Sequence, residues 1–371
     1  MDRREFLKLG VIAGGTILVG GVSRFGRFTA SAASTEVPTV DRLVMTNVVD
    51  NFYDVFAARG KIGDLMVQRT APSPQMPLSE HGLAYHLESH RGTERKEILL
   101  DFAWTEQSLT SNYQVLKIDP TKADALIISH GHRDHYGALA NLAGAWRGRT
   151  KSGLTLYAGG EDTFCHRWSM TPDGQKSDLG ELPRAELESR GLKVVLAKQP
   201  AVVAGHAFTS GQIPRLTDFE TSPPSARLEA GVPGSGCEAS FHFPPGSLKV
   251  EAKPGELVND IFWGEHATAY HVKNRGLVVI SSCGHAGIIN SVRQIQKSTG
   301  IDKIHAVVGG WHLAPYPDEI VAKTVEALKR IDADYLIPMH CTGFNTIAAI
   351  LREMPKKLIM PSTGTRVVFG A

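Results

Sequence analysis

The chain has little cysteine. Its four residues, Cys165, Cys237, Cys283 and Cys341, form no CxxC pair, and they are too sparse for a disulfide scaffold to be the source of stability. It also has little net charge. Forty basic residues against thirty-eight acidic ones leave +2, so no global field draws the protein towards nucleic acid or an anionic membrane. Any anionic substrate must be held by local groups. There is no internal repeat. The apolar, Gly-rich run Leu9 to Val22, about fourteen residues, falls short of the roughly 18–20 that span a bilayer as a helix. What is there is ordinary for a globular protein: 42% hydrophobic and 21% charged residues exclude the disordered and fibrous classes. A length of 371 residues allows one large domain or two modest ones with a well-buried core.

The first thirty-odd residues read as a processing segment. Arg3 and Arg4 precede Glu5, Phe6, Leu7 and Lys8, the apolar run follows, and Ala30-Ser31-Ala32 supplies small residues suited to cleavage. This resembles a twin-arginine export signal, although Asp2 stands where Ser or Thr is more usual. The resemblance implies residues 1–33 as a signal, the export machinery as a partner and the periplasm as destination. The mature chain then starts near Ala33 or Ser34, unless the segment is retained as an anchor. Such a compartment permits a disulfide, and the sequence leaves open whether one forms.

From residue 41 short apolar runs alternate with amphipathic segments. Strands are expected at Leu43 to Val49, Leu83 to Leu87, Glu97 to Asp101, Ala125 to Ser129, Leu154 to Ala158, Lys193 to Ala197, Ala269 to Val272, Leu277 to Ser281, His305 to Val308 and Tyr335 to Pro338. Ile320, Val321, Val325, Leu328 and Ile331 share one helical face, with Asp318 and Glu319 at the start of that helix, where carboxylates suit the dipole. Tyr136 to Ala143, Ala286 to Ser298 and Phe344 to Arg352 read as further helices. The sum is layered α/β structure, one domain over 34–371. Residues 171–263 carry two Pro-Pro pairs and few periodic runs, and read as an irregular insertion able to cover a site.

Chemistry concentrates in Ser129-His130-Gly131-His132-Arg133-Asp134-His135, after the apolar run Ala125 to Ile128. Three imidazoles and a carboxylate at a strand-to-helix turn suit a borderline divalent metal such as zinc. His130 and His132 are two apart, so an extended backbone points both to one side. Asp134 and His135 follow and can face a second ion. Three more histidines, His285, His312 and His340, each follow a buried strand, at the strand ends where open sheets place their sites. His285 and His340 are expected as ligands. Cys283, Cys341 and His312 are candidates for either ligation or support.

His-x-His-x-Asp-His after an apolar strand resembles the signature of the metallo-β-lactamase superfamily. That resemblance implies a four-layer αββα sandwich with the metal site at one edge, and Asp101 as the strand-ending residue that orients a ligand. His81-Gly82-Leu83-Ala84, Gly211-Gln212-Ile213-Pro214-Arg215, Cys283-Gly284-His285-Ala286-Gly287-Ile288, Gly309-Gly310-Trp311-His312-Leu313 and His340-Cys341-Thr342-Gly343 resemble the group named for dihydropterin ribofuranosyl-aminobenzene 5′-phosphate synthase. The likeness runs from about Leu43 to Phe369. One departure matters: many superfamily hydrolases carry a Gly-His turn and a Gly-Asp turn, the latter supplying a bridging carboxylate, and no Gly-Asp turn stands at a strand end here. Gly205-His206 offers only a weak substitute for the former. One or two ions are therefore both allowed, zinc foremost, with manganese, iron and magnesium open.

Three functions follow. The leading one is metal-dependent hydrolysis of a small substrate, with Asp134 binding the metal or positioning water and Arg215 gripping an anionic group in a guanidinium fork. The subfamily name implies a synthase-like transferase instead. A metal-binding or sensing module without turnover is the third. The oligomeric state is not legible. The export reading is checked directly: Arg3→Lys with Arg4→Lys should trap precursor in the cytoplasm, and equal periplasmic yield from that variant would show another route.

Overall fold

An alternation of period two decides the layers. In the strand Ala125–Ile128, Ala125 and Ile127 join one apolar cluster while Leu126 and Ile128 join another. In Gly276–Ser281, Val278 and Ile280 join that same first cluster, and Leu277 and Val279 join a third. Successive side chains of a strand point to opposite faces, so each of these strands is covered on both sides. The computed structural model describes residues 36–70, 74–223, 225–231, 237 and 253–371. The expected signal at 1–33 lies outside them, as does part of the expected insertion.

The first sheet has nine strands, in the order Lys193–Leu196, Thr155–Ala158, Ala125–Ile128, Glu94–Leu100, Ala84–Arg91, Arg42–Val49, Arg366–Gly370, Leu65–Gln68 and Gly60–Ile62. The second runs Ala201–Val203, Ala207–Thr209, Thr268–Val272, Gly276–Ser281, Ile304–Gly309 and Tyr335–Pro338, with Thr39–Val40 also paired to Thr268–Val272. The shared cluster between the sheets holds Leu43, Tyr85, Ile98 and Ile127 from one and Tyr270, Val278, Val308 and Ile337 from the other. Behind the first sheet lie the helices Glu106–Val115 and Leu139–Trp146, through Leu109, Tyr113, Leu139 and Trp146. Behind the second lie Ile288–Thr299, Asp318–Ile331 and Phe344–Glu353, through Val292, Val325, Leu328 and Ile350. The result is an αββα sandwich.

Parallel pairing then positions the site. Glu94–Leu100, Ala125–Ile128, Thr155–Ala158 and Lys193–Leu196 are parallel neighbours, as are Gly276–Ser281, Ile304–Gly309 and Tyr335–Pro338. Parallel neighbours bring their carboxyl ends to one edge, and Asp101, His130, His285, His312 and His340 all follow such ends.

Two expectations need correction. The helix expected over Tyr136 to Ala143 is two pieces, Arg133–Tyr136 and Leu139–Trp146. The backbone N–H groups of Gly137 and Ala138 donate to the carbonyls of Ala103 and Phe102, so the intervening turn is tied to the loop carrying Asp101. The stretch 171–263 is also not uniformly irregular. Lys193–Leu196 joins the first sheet, and Ala201–Val203 with Ala207–Thr209 joins the second. What stands apart is a four-stranded sheet of Lys176–Gly180, Arg167–Met170, Ala226–Glu229 and Leu257–Asn259.

That small sheet has a core cluster of Cys165, Leu228 and Cys237, and the two cysteines form a disulfide across 72 positions. Cross-linking a long loop restricts the unfolded chain and stabilises by typically 2–4 kcal/mol. Cys165→Ala with Cys237→Ala should therefore lower unfolding free energy by about 2–4 kcal/mol, read as a fall in denaturant midpoint under non-reducing conditions.

Candidate metal centre

His130 and His132 flank Gly131, which any larger residue would displace. A Cβ there would lie 2.1 Å from the Thr163 carbonyl oxygen and 2.2 Å from Arg167 Nη1, and Arg167 Nη1 donates to the Gly131 carbonyl at 3.1 Å. Arg167 is buried and paired to Asp260 at 2.8 Å, so the small sheet braces the loop from outside. His285 enters from the second sheet. The three rings of His130, His132 and His285 stand 4.7, 4.8 and 4.7 Å apart, centre to centre, around a common point.

A second grouping adjoins the first. Asp134 and His135 lie on the one-turn helix Arg133–Tyr136. Asp134 Oδ2 is 3.2 Å from His340 Nε2, 3.4 Å from His81 Nε2 and 3.6 Å from His135 Nε2. The His135 and His130 rings are 4.3 Å apart, so the two groupings share a wall.

The imidazoles are oriented from behind. His135 Nδ1–H donates to Asp101 Oδ2 at 2.7 Å. The Ser129 hydroxyl donates to the same oxygen at 2.7 Å and lies 3.0 Å from His130 Nδ1. His340 Nδ1 lies 3.1 Å from Asn51 Oδ1, and Asp50 accepts the His340 backbone N–H at 3.1 Å. Glu265 accepts the backbone N–H groups of His285 and Ala286, the former at 3.0 Å, and Phe262 stacks on the His285 ring at 4.0 Å. Asp101, His312 and His340 have φ of 60°, 44° and 51°, a left-handed region costly for such residues and concentrated at functional sites.

Whether these residues fit a metal is tested by what their outer nitrogens do. His130, His132, His135 and His340 Nε2 and both nitrogens of His285 are buried without a hydrogen-bond partner. An orphaned buried polar atom costs about 1–3 kcal/mol, and one nitrogen on each of these rings finds its partner if it gives its lone pair to a bound cation. Burial pushes His130, His132 and His285 well below the ordinary histidine range, which keeps them neutral, as ligands must be. Burial alone would raise Asp134, but His135 and His340 beside it hold it well below the usual carboxylate range. The donor set fits a divalent metal.

Residues 91–213 match the model of the metallo-beta-lactamase superfamily. The matched stretch holds Asp101 and the 130–135 cluster and ends before His285. Over 278 residues the chain is 28% identical to the 7,8-dihydropterin-6-methyl-4-(beta-D-ribofuranosyl)-aminobenzene-5′-phosphate synthase of Methanocaldococcus jannaschii, spanning 74% of this chain and 85% of that protein. The crystal structure of Tm1679, described as a metal-dependent hydrolase of the beta-lactamase superfamily, superposes with a TM-score of 0.62 over 87% of this chain and 98% of that one. At 20% identity this likeness speaks to the fold alone.

Of the residues singled out from sequence, the fold brings together His130, His132, Asp134, His135, His285, His312, His340, Cys283 and Cys341, with Asp101 behind them. It does not bring in two others. His206 is buried elsewhere, between Ser89 Oγ at 2.9 Å and Glu94 Oε2 at 3.3 Å. Arg215 is a clamp and no substrate grip: its guanidinium donates to Ser222 Oγ and to the carbonyls of Glu220, Ile261 and His285 at 2.7–3.1 Å, which leaves the fork occupied. Sequence reasoning gave no role to His81, Asp50, Asn51, Glu265 or Phe262. For His81 the signal existed in its Gly-Leu-Ala context, whereas the others act through contacts that only the fold supplies.

Because Asp101 holds one imidazole directly and another through Ser129, Asp101→Asn should lower metal affinity by about 10–100-fold. Chelator competition reads the loss, with an unchanged far-UV circular dichroism spectrum as the control for folding.

Proposed function

We propose that the protein is a metal-dependent hydrolase acting on a small substrate. The observation that carries this reading is the set of six imidazole nitrogens without hydrogen-bond partners on five histidines, four buried and His132 half-buried, beside a carboxylate. His130, His132 and His285 would hold one ion, and Asp134, His135 and His340 a second. The ion is assigned to the zinc class, in keeping with imidazole-rich donors. When bound, such a metal supplies Lewis-acid charge and brings the pKa of water towards neutrality.

The chain's own residues define the rest. A cavity of about 200 Å³ opens on the centre, lined among others by His81, Trp104, Arg133 and Leu179. Its size suits a small molecule or one group of a larger one. His81 is 62% exposed at its side chain, with Nε2 3.4 Å from Asp134; partial burial holds it below the ordinary histidine range against the opposing pull of Asp134. Its exposed ring is placed to exchange a proton with a group in the cavity. Arg133 is exposed beside Asp134, and takes the anion-holding role that Arg215 cannot. Trp104 and Leu179 supply apolar walls.

The likeness to a named synthase over 85% of that protein supports a second reading, in which the same centre joins two substrates. Arg3 and Arg4 support export by the twin-arginine route. The hydrolase reading is tested with the full chain against phosphoesters, lactones and lactams, with product masses recorded. Turnover that vanishes on chelation and returns with metal is the expected result. His130→Ala with His132→Ala should abolish turnover and remove the ion held by the imidazole triad, and His340→Ala should weaken metal binding about 10-fold or more. Full metal content in the double variant, or no chelator-sensitive turnover, would overturn it.

A further inference from the structure

The two free cysteines lie outside the ligand groups assigned above, yet they face the same cavity. Cys283 and Cys341 are buried, with their sulfurs 3.1 Å apart. They follow Gly276–Ser281 and Tyr335–Pro338, which flank the central strand Ile304–Gly309. That strand runs into Gly309-Gly310. A Cβ on Gly309 would lie 1.8 Å from the Ser281 carbonyl oxygen, and one on Gly310 2.9 Å from Cys341 Sγ. Glycine at both positions is what lets the thiols meet across the central strand. The loop then turns through Trp311 to His312, whose φ of 44° aims the ring back: Nδ1 is 3.6 Å from Cys283 Sγ, while its backbone N–H donates to Cys341 Sγ at 3.2 Å.

We propose that Cys283, Cys341 and His312 form a thiolate site for a thiophilic divalent cation of the zinc class, beside the imidazole and aspartate groups. Bond lengths of about 2.3 Å to sulfur and 2.0–2.1 Å to nitrogen at a tetrahedral angle place S and N about 3.6 Å apart, the separation of Cys283 and His312. The same geometry sets two sulfurs about 3.8 Å apart, so binding opens the pair by less than 1 Å. On either side the site abuts an imidazole assigned above to another ion, which leaves its fourth position to solvent. Cys283 Sγ, His285 and His312 offer ligand atoms within 4.8 Å of one another, as do Cys283, His340 and Cys341. Binding requires no oxidant: each thiol gives its proton to solvent as its sulfur bonds the cation. Thiolates select zinc-class ions over magnesium, manganese and calcium.

The inference deepens the metal reading but does not depend on the reaction. The full chain, reduced and stripped of metal, is titrated with Co(II) and followed by absorption. Wild type should show a near-ultraviolet sulfur-to-cobalt charge-transfer band, lost in Cys283→Ser with Cys341→Ser and weakened about 10-fold in apparent affinity by His312→Ala. The band should survive His130→Ala with His132→Ala, which leaves all three proposed ligands in place. Visible d–d bands without charge transfer in wild type would overturn the thiolate site while leaving metal on the imidazoles. Loss of the band in the histidine double variant would overturn a separate site, and no cobalt spectrum at all would overturn both readings. Cd(II), whose thiolate absorption is read on the wild type alone, keeps the test independent of how the variants fold.

Discussion

Burying several imidazole nitrogens with no hydrogen-bond partner is the constraint on which the rest of this structure depends. Each such atom costs about 1–3 kcal/mol in the absence of a ligand. Left-handed backbone at Asp101, His312 and His340 adds about 1–3 kcal/mol apiece. A loop could not hold such an arrangement unaided; it would turn its rings to water. Here the rings cannot turn, because each is attached to the end of a strand buried on both faces. The central and outer clusters fix strands such as Ala125–Ile128 and Gly276–Ser281 on both sides, so the strain at their ends is borne by apolar burial some residues away.

Buried carboxylates translate that rigidity into ring orientation. Asp101 takes the back of His135 directly and of His130 through Ser129. Asp50 holds the backbone N–H of His340 while the amide of Asn51 meets its ring, and Glu265 fixes the backbone turn that presents His285. Their environments differ in a way that suits the division of labour. Burial raises Glu265 to about 6 and also raises Asp50, whereas Asp134, the carboxylate facing the cavity, is held low by its histidine neighbours. The charge is thus kept where a cation would sit.

Much of this was legible in the sequence because the signals are local. Short apolar runs located Tyr335–Pro338 to the residue and most other central strands to within a few positions. The six-residue histidine cluster located the first half of the site. Strand-end histidines located the second half, since a residue after a buried parallel strand has one edge to go to. What was not legible rests on contacts that the fold supplies. Arg215 and His206 were plausible by type, and only their partners, five to 117 positions away in sequence, show that they are occupied. The break at Gly137 arises from the carbonyls of Phe102 and Ala103, more than thirty positions upstream. Pairing of Cys165 with Cys237 had no local signature at all.

The two cysteine pairs make opposite use of one chemistry, and their surroundings explain why. Cys165 and Cys237 sit in a small sheet whose own core is slight, where a covalent tie replaces apolar area that few side chains supply. Cys283 and Cys341 are buried after strands of the large second sheet, and they lie beside His285, His312 and His340. In the export reading drawn from Arg3 and Arg4, the same oxidising compartment that closes the first pair would threaten the second. A cation already held by the second pair before export removes that conflict, since a metal-bound thiolate is both unavailable for exchange and masked in a buried cavity. In that reading, folding before translocation and the proposed thiolate site would be one requirement seen from two ends of the chain, since the proposed ligand set is complete only when Cys341, near the end of the sequence, has returned to the edge where His312 and Cys283 stand.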